Sequence, residues 1–417
     1  MKKKIILFLR RTESFTNTDM VYLASSGFWI TMNTLAVSGI SFALSIVFAN
    51  LLSKETFGIY QFVLSIATIL SAFTLTGMNT VITKRTAQGV ESVLLSSIKP
   101  QLLFNICAGI LGLAISTYYA LKGNNAYAGM FLMVGVAVPL IATYNSYTAF
   151  LNGKRAFKRL FIVSVFLALF YSLGMVLAVL IGASPIALVG VYFLTNTLGV
   201  YACFLYTKKI YGLSTSEKLD LGFVKKLSIS NIPSSLLLSI DNIVIYHLLG
   251  PSTLALYAIA TQLPERALSF LRSITTAAIP KFSTYSHSQM RAIIFAKTAR
   301  MFTLALLGAG VYAVLAKTIF SYVFPEYMGA LTTSYLGGVA SAFGITGSFV
   351  LSALITSHNG RRVFAVNVIY PTISIICIVT GGMLGGMHGA IIGKMLGSLG
   401  AIVIGLTAIN YVRPQDH

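Results

Sequence analysis

The sequence predicts an all-α membrane protein, with about 12 transmembrane helices in two parallel six-helix lobes and with the N- and C-termini cytoplasmic. Three observations support this prediction. Of the 417 residues, 56% are hydrophobic and 10% are charged, and the mean hydropathy is +0.83, whereas charged residues make up about 25% of an average soluble domain. Long apolar stretches follow one another along the chain, and one short motif occurs once in each half.

A membrane-spanning helix needs about 20 mostly apolar residues, and charge clusters and Gly- or Pro-containing turns separate twelve segments of this kind. In chain order, we predict spans over residues 20–51, 57–81, 101–121, 126–150, 158–182, 185–207, 227–249, 253–279, 297–320, 329–356, 363–384 and 387–411. The outer loops are short throughout, so no extramembrane catalytic domain is expected.

The positions of Lys and Arg predict the orientation, because cytoplasmic loops retain these residues. With the N-terminus inside, only Lys54, Lys122 and Lys317 fall on the outer side, and Arg266, Arg272 and Lys394 fall within the membrane. The other members of the 30 Lys and Arg lie in cytoplasmic segments. The net charge of +20 is therefore interpreted as a topology signal, and nucleic-acid binding is not expected.

Two pairs of similar segments indicate a duplication. Asn152-Gly153-Lys154-Arg155-Ala156-Phe157 returns as Asn359-Gly360-Arg361-Arg362-Val363-Phe364, and the segment from Leu51 to Tyr60 resembles that from Leu248 to Tyr257. Six spans per half is an even number, so both halves enter the membrane in the same direction and are related by an axis along its normal. We assign residues 1–210 to an N-terminal lobe, 211–226 to a cytoplasmic linker and 227–417 to a C-terminal lobe.

Enzymatic, metal and cofactor chemistry find no support in the sequence. The nearest approach to a phosphate-binding loop, Gly389 to Met395, lacks one spacer and has Met in place of Ser or Thr. The three cysteines lie singly in apolar runs, and the histidines show no HExxH spacing. We therefore predict that the protein is not an enzyme and has neither a metal site nor a cofactor.

Five ionisable residues fall inside predicted spans, where a charge is costly and usually faces a bundle interior or a wet cavity. They are Asp241, Glu265, Arg266, Arg272 and Lys394. Asp241 and Lys394 lie at similar depth and could pair, or Asp241 could reach Arg266. The set either neutralises itself as an ion-pair network or forms a cationic cavity for a negatively charged headgroup.

Further candidates surround this set. Lys297 and Arg300 would stand at the inner mouth of the cationic cavity, and Asp241 or Glu265 could couple transport by protonation. Neutral polar residues of the first half could bind sugar hydroxyls or simply join helices; they include Asn33, Tyr144, Asn145 and Asn196. Pro233, Pro264 and Pro280 either unwind the seventh and eighth spans around a substrate or are tolerated kinks.

Several of these segments resemble one family. The chain resembles the polysaccharide-transporter branch of the multidrug/oligosaccharidyl-lipid/polysaccharide (MOP) exporter superfamily, in particular Wzx-type O-antigen flippases. The segments that carry the resemblance are Leu51 to Tyr60, the Asn152 loop, Asp241 to Tyr257 and Ile279 to Ser283. The run from Phe324 to Tyr327 fits as well, although Pro325 stands where Gly is common. Asp241 occupies the acidic position of the family's seventh span.

The resemblance implies twelve helices, alternating access and the movement of an undecaprenyl-pyrophosphate-linked oligosaccharide from the cytoplasmic to the outer leaflet of the bacterial inner membrane. The expected partners are this lipid-linked oligosaccharide, membrane lipids and the polysaccharide polymerase machinery. The alternatives are a multidrug antiporter of the MATE type and a nonselective lipid scramblase. A glycan polymerase or ligase would need a large outer loop that the sequence lacks.

Overall fold

The computed structural model describes residues 20–212, 219–269, 271, 287–355 and 360–410. Within these ranges the regular structure is helical throughout. The helices are α1 (Met20–Leu51), α2 (Lys54–Ser71), α3 (Gly77–Ala87), α4 (Val93–Leu121), α5 (Asn125–Tyr144), α6 (Tyr147–Gly153), α7 (Phe157–Leu180), α8 (Pro185–Tyr211), α9 (Leu221–Leu236), α10 (Ile240–Leu249), α11 (Pro251–Ala267), α12 (His287–Val323), α13 (Leu331–Ile355) and α14 (Gly360–Asn410), with a 3-10 turn over Pro325–Ala330 before α13.

The protein is a multi-pass membrane protein. Among the described residues, eight helices are long and apolar enough to cross a membrane, and the pair α9 and α10, bent by 41°, forms a ninth candidate. In this count α14 is one helix, although two predicted spans fall within it. Helices α2 and α11 are not among the eight. The predicted all-helical membrane fold is confirmed.

Helix α14 is a hairpin of two antiparallel arms, residues 360–384 and 387–410. The backbone leaves helical geometry at Gly385 and Gly386, and Gly386 has φ of 57°, which favours glycine. The arms touch along their backbones: a Cβ on Gly381 would lie 2.2 Å from the carbonyl oxygen of Gly389, and one on Gly393 would lie 2.1 Å from that of Cys377. The predicted outer turn is therefore confined to two residues.

Three predicted spans are not continuous helices, and this corrects the sequence interpretation. The span 57–81 divides into α2 and α3, the span 126–150 into α5 and α6, and the span 227–249 into α9 and α10. Prolines precede two of these breaks: Pro139 lies within α5 and Pro233 within α9. A proline removes one backbone donor and clashes with the preceding turn, so it weakens each of these helices a short distance before its end.

The helices pack in two groups, α1–α8 and α9–α14, which meet mainly where α2 contacts α10 and α11 and where α3 contacts α9. The two similar segments found in the sequence form part of this contact. A Cβ on Gly58 would lie 1.8 Å from the carbonyl oxygen of Pro251, so only glycine permits this approach. Each segment begins its helix, after the cap residue Ser53 in α2 and with Pro251 in the first turn of α11.

Some predicted features lie outside the described residues. These are the basic N-terminus, the linker core 213–218, Arg272, the run from Ile279 to Ser283, Asn359 and Arg413. The cytoplasmic position of the termini and the lobe boundaries stay predictions.

The hairpin contact in α14 predicts a specific intolerance. We expect Gly389→Ala to lower the stability of the protein by about 1–3 kcal/mol, the usual cost of overpacking, because its Cβ would lie 2.0 Å from the carbonyl oxygen of Gly381. Thermal unfolding in detergent measures the change. Gly310→Ala is the matched control, since a Cβ there has nothing within 4 Å. Equal effects of the two substitutions would contradict the proposed backbone contact.

Candidate functional site

The breaks in α2–α3 and α5–α6 open a polar cavity inside the N-terminal group of helices. The cavity has a volume of about 370 Å³, within the range of about 300–1,000 Å³ typical of small-molecule sites. Its walls come from α2, α3, α4, α5 and α8 and from the two breaks. The lining residues are Leu64, Ala67, Thr68, Ser71, Thr74, Leu75, Thr76, Asn79, Gln101, Asn105, Val138, Ile141, Ala142, Asn145, Tyr192, Phe193 and Asn196.

Buried side chains satisfy the backbone at the first break. The Leu75 N–H donates to Oδ1 of Asn105 at 2.8 Å, and Nδ2 of Asn105 donates to the Thr143 hydroxyl at 2.9 Å. Asn105 is 1% exposed. Two residues later, the Gly77 N–H donates to the Ser228 hydroxyl of α9 at 2.9 Å. Non-helical backbone is tolerated at membrane depth only when its polar groups are bonded in this way.

The cavity wall is neutral. Its polar groups are hydroxyls and side-chain amides, and none of the described lining residues carries a charge. Such groups can both donate and accept hydrogen bonds, which is what a sugar hydroxyl requires. Two of the predicted polar residues, Asn145 and Asn196, lie in this wall.

The membrane-buried charges lie in the C-terminal group. Nζ of Lys394 in α14 lies 3.2 Å from Oδ2 of Asp241 in α10 and 3.0 Å from Oε1 of Glu265 in α11. This is the first of the two pairings considered for Asp241. The Tyr257 hydroxyl donates to Oδ2 of Asp241 at 3.0 Å, and the Asn242 N–H donates to Oδ1 at 3.0 Å. We call Asp241, Glu265 and Lys394 the charged cluster; it ties three helices together.

Arg266 points away from this cluster and toward the N-terminal group. Its guanidinium donates to the Ser45 hydroxyl of α1 at 3.0 Å and to Oε1 of Gln262 at 3.1 Å. Ser41, one turn earlier in α1, has its hydroxyl 3.2 Å from that of Tyr171 in α7. A cation of the C-terminal group is thus held against a hydroxyl-rich face of the N-terminal group.

The remaining predicted site residues are not brought together. Lys297 is half-buried and Arg300 exposed, both along α12. Tyr144 packs against Tyr201 and Phe204, with ring centroids 4.9 and 5.2 Å apart, and it is not part of the cavity wall. Asn33 lies in α1, where its side-chain oxygen is buried without a hydrogen-bond partner. Arg272 lies outside the described residues.

Other residues of the site were not predicted from the sequence. Gln101 and Asn105 are one helical turn apart on the cavity face of α4, and this spacing within an apolar span was the available signal. Ser45 and Tyr257 gave no signal of their own, because Ser and Tyr are common in membrane helices. Their roles become visible only through the contacts with Arg266 and Asp241.

Comparisons with known proteins agree on the class. A family model described as polysaccharide biosynthesis protein matches residues 23–286. Among curated proteins, no sequence matches the chain.

Several solved structures share the fold. An inward-facing MATE family transporter of the MOP superfamily has a TM-score of 0.67 at 13% identity, covering 92% of this chain and 96% of that one. An outward-facing structure of a MATE family transporter gives 0.58 at 14% identity, covering 93% and 97%. A MOP superfamily transporter from Pyrococcus furiosus, described by the reverse polarity of its binding pocket, gives 0.62 at 13% identity, covering 93% and 96%.

The hydrogen bonds at the break between α2 and α3 predict the effect of removing Asn105. We expect Asn105→Leu to lower stability by about 1–3 kcal/mol, the cost of leaving a buried donor unsatisfied, since the Leu75 N–H would lose its acceptor. Unfolding in detergent measures this change. Thr117→Leu, an exposed position of α4 that bonds only back to its own helix in the described contacts, is the control. A stability loss no larger than that of the control would show that Asn105 does not support the break.

Proposed function

Because the chain belongs to the polysaccharide biosynthesis protein family of the MOP exporter superfamily, we propose that it is a flippase for a lipid-linked oligosaccharide. Its family and fold are those of membrane transporters. The proposed cargo is an undecaprenyl-pyrophosphate-linked oligosaccharide, the repeat unit of O-antigen or a similar surface polysaccharide. It would move by alternating access from the cytoplasmic to the outer leaflet of the bacterial inner membrane.

The observation that carries this proposal is the neutral cavity in the N-terminal group. Its hydroxyl and amide groups suit the many hydroxyls of a glycan, and the break residues Thr74, Thr76 and Asn145 add to them. A lipophilic cation, the cargo of a multidrug antiporter, would require a carboxylate to offset its desolvation. No carboxylate lies among the described residues of this wall.

Arg266 supports an anionic cargo. It lies where α11 faces α1, and an arginine fork matches the geometry of phosphate oxygens. The carboxylates Asp241 and Glu265 already share the ammonium of Lys394, so they do not offer an open site for a cationic drug. An anion moving outward gains roughly 2.3 kcal/mol per charge per 100 mV when the interior is negative, so the membrane potential favours export.

The proposal is tested with purified protein in vesicles that contain a fluorescent polyprenyl-diphosphate oligosaccharide. We expect the wild type to move this lipid across the bilayer and to leave a polyprenyl diphosphate without glycan largely unmoved. Asn196→Leu should slow transport by roughly fivefold to thirtyfold, as expected for the loss of one or two hydrogen bonds of about 1 kcal/mol each. Thr117→Leu, on the exposed side of α4, is the control. Uptake of an organic cation in place of the glycolipid would favour the antiporter, and equal movement of both lipids would favour a scramblase.

Arg266 gives a second test in the same assay. We expect Arg266→Ala to abolish most glycolipid movement and Arg266→Lys to retain part of it, because lysine keeps the charge but loses the two-pronged geometry. Ser45→Ala separates cargo binding from the contact with α1, since it removes only the hydroxyl partner of Arg266. Normal transport by Arg266→Ala would exclude a role for this cation.

A further inference from the structure

We propose that an aromatic cluster at the outer end of the two lobes is an exit site for the glycan. Its rings close the path by stacking on one another, and they bind sugar rings when the lobes part. The cluster consists of Phe62, Tyr119, Tyr127, Phe131 and Tyr246, and we call it the outer aromatic cluster. This inference rests on the proposed function, because it names a second surface that the same cargo contacts.

The cluster lies between the neutral cavity and the end of the bundle that the Lys and Arg distribution predicts to face outward. Phe62 is eight residues after the first residue of α2, and therefore about 12 Å from that end at 1.5 Å per residue. Two residues further along α2, Leu64 already lines the cavity. Tyr119, Tyr127 and Tyr246 lie within three residues of the outer ends of α4, α5 and α10. The turns of this end all belong to the described part of the chain: 51–57, 121–126, 182–185, 249–253, 320–329 and 384–387.

One contact of the cluster joins the two lobes face to face. Phe62 of α2 and Tyr246 of α10 are stacked, with ring centroids 3.8 Å apart and an angle of 9° between the ring planes. The hydroxyl of Tyr246 also shares a hydrogen bond with the hydroxyl of Tyr127 in α5. Each stacked ring therefore covers one face of the other, and the hydroxyl pair fixes Tyr246 against the N-terminal lobe.

Neighbouring rings support this contact from within the N-terminal lobe. Tyr119 stacks on Tyr127 and on Phe131, with centroids 5.1 and 5.3 Å apart, and Phe62 meets Phe131 edge to face at 6.0 Å. Phe62 and Phe131 are buried. From the other lobe, His247 adds an edge contact to Phe62 at 5.4 Å. A movement of α10 away from α2 would therefore separate the rings of the two lobes and leave the N-terminal rings in place.

Other contacts hold the lobes together at the same end. Nδ2 of Asn50 in α1 donates to the Val323 carbonyl at the end of α12, at 3.0 Å. A Cβ on Gly58 in α2 would lie 1.8 Å from the carbonyl oxygen of Pro251 in α11. The lobes thus touch at this end through α1, α2 and α5, so a glycan can leave the cavity outward only when they separate.

Separation changes what the cluster can bind. It exposes the faces of Phe62 and Tyr246, and the exposure of apolar ring surface to water costs free energy. An aromatic face is electrostatically negative, whereas the C–H face of a pyranose ring is apolar and slightly positive, so the two stack. The hydroxyls of Tyr127 and Tyr246, once apart, can each donate to and accept from sugar hydroxyls. A glycan therefore offsets part of the cost of opening, which a lipid without sugars cannot do.

The first experiment measures the separation of the lobes without any cargo. Nitroxide labels on Lys122→Cys and Ser252→Cys, both exposed positions at the outer end, report the distance between the lobes in lipid nanodiscs. The full-length protein carries serine at its three native cysteines. We expect Tyr127→Phe and Tyr246→Phe each to raise the population with the longer distance roughly fivefold, as the loss of one hydrogen bond predicts. The double variant should raise it no further, since both substitutions remove the same bond.

Tyr206→Phe is the matched control for these labels. It removes a hydroxyl from an exposed side chain of α8 and should leave the distance distribution unchanged. Phe62→Leu removes the stacked ring itself and should raise the longer-distance population at least as much as the loss of the hydroxyls. Unchanged distances in all three cluster variants would overturn the closing role. An effect of the double variant equal to the product of the two single effects would show that the hydroxyls do not act as a pair.

The second experiment separates sugar binding from closing, with the vesicle assay of glycolipid movement. Tyr246→Phe keeps the ring face and loses the hydroxyl, whereas Tyr246→Leu loses both. We expect Tyr246→Phe to move the glycolipid at least as fast as the wild type. Tyr246→Leu and Phe62→Leu should be roughly fivefold slower, as expected for the loss of one ring contact, although both weaken the closed state. Tyr206→Leu is the control and should keep the wild-type rate.

The outcomes distinguish this inference from the proposed function. Equal rates of glycolipid movement in Tyr246→Phe and Tyr246→Leu would show that the ring does not contact the sugar. The exit site would then be wrong, while the flippase proposal would stand. If the wild type moved no glycolipid but the label distances followed the hydroxyl pair, the proposed cargo would be wrong. The sugar-binding role of the cluster would fall with that cargo, and its closing role would stand.

Discussion

The structure depends on one constraint: within hydrocarbon, every backbone N–H and C=O group has to find its partner inside the protein. The described residues meet it with helices, and at the break between α2 and α3, side chains of other helices take over the hydrogen bonds. Asn105 does so for Leu75, and Ser228 of the other lobe does so for Gly77. Both breaks of the N-terminal group lie against the same cavity. The helix breaks leave space for the cavity. The polar side chains that line it, such as Asn105, provide hydrogen bonds to the interrupted backbone.

The two lobes meet through close backbone approach, hydrogen bonds and ring stacking. Gly58 lets α2 touch the backbone of Pro251, the Asn242 amide donates to Ser65 at 2.9 Å, and Arg266 donates to Ser45. Phe62 of α2 stacks on Tyr246 of α10, with ring centroids 3.8 Å apart. These contacts lie beside a buried apolar core to which both lobes contribute, including Phe57 from α2 and Leu254 from α11.

Hydropathy and charge were sufficient to predict the helical membrane fold. A membrane span has to be apolar because it lies in lipid, and cytoplasmic loops retain Lys and Arg. The pairing of Asp241 with Lys394 could be proposed because both residues lie at a similar depth below the outer surface of the membrane. The helix breaks were not predicted, although the residues around Thr74 and Asn145 are more polar than those before them, because polar side chains also occur inside continuous membrane helices, where they join neighbouring helices. The partner of Arg266 lies 221 positions away in the chain, and nothing local to Ser45 distinguishes it from other serines. Only the packing of the two lobes reveals it.

The two similar segments found in the sequence allow the environments of the two lobes to be compared position by position. The register that aligns Tyr60 with Tyr257 places Leu44 opposite Asp241 and Thr68 opposite Glu265. Tyr60 packs against Phe48 and Tyr192, whereas Tyr257 donates to Asp241. Thr68 lines the neutral cavity, while Glu265 lines the small cavity beside Lys394. The equivalent helix face thus borders a cavity in both lobes, with a neutral residue in the first and a carboxylate in the second. The two lobes thus present different surfaces: a neutral polar wall in the N-terminal lobe and the charged cluster in the C-terminal lobe.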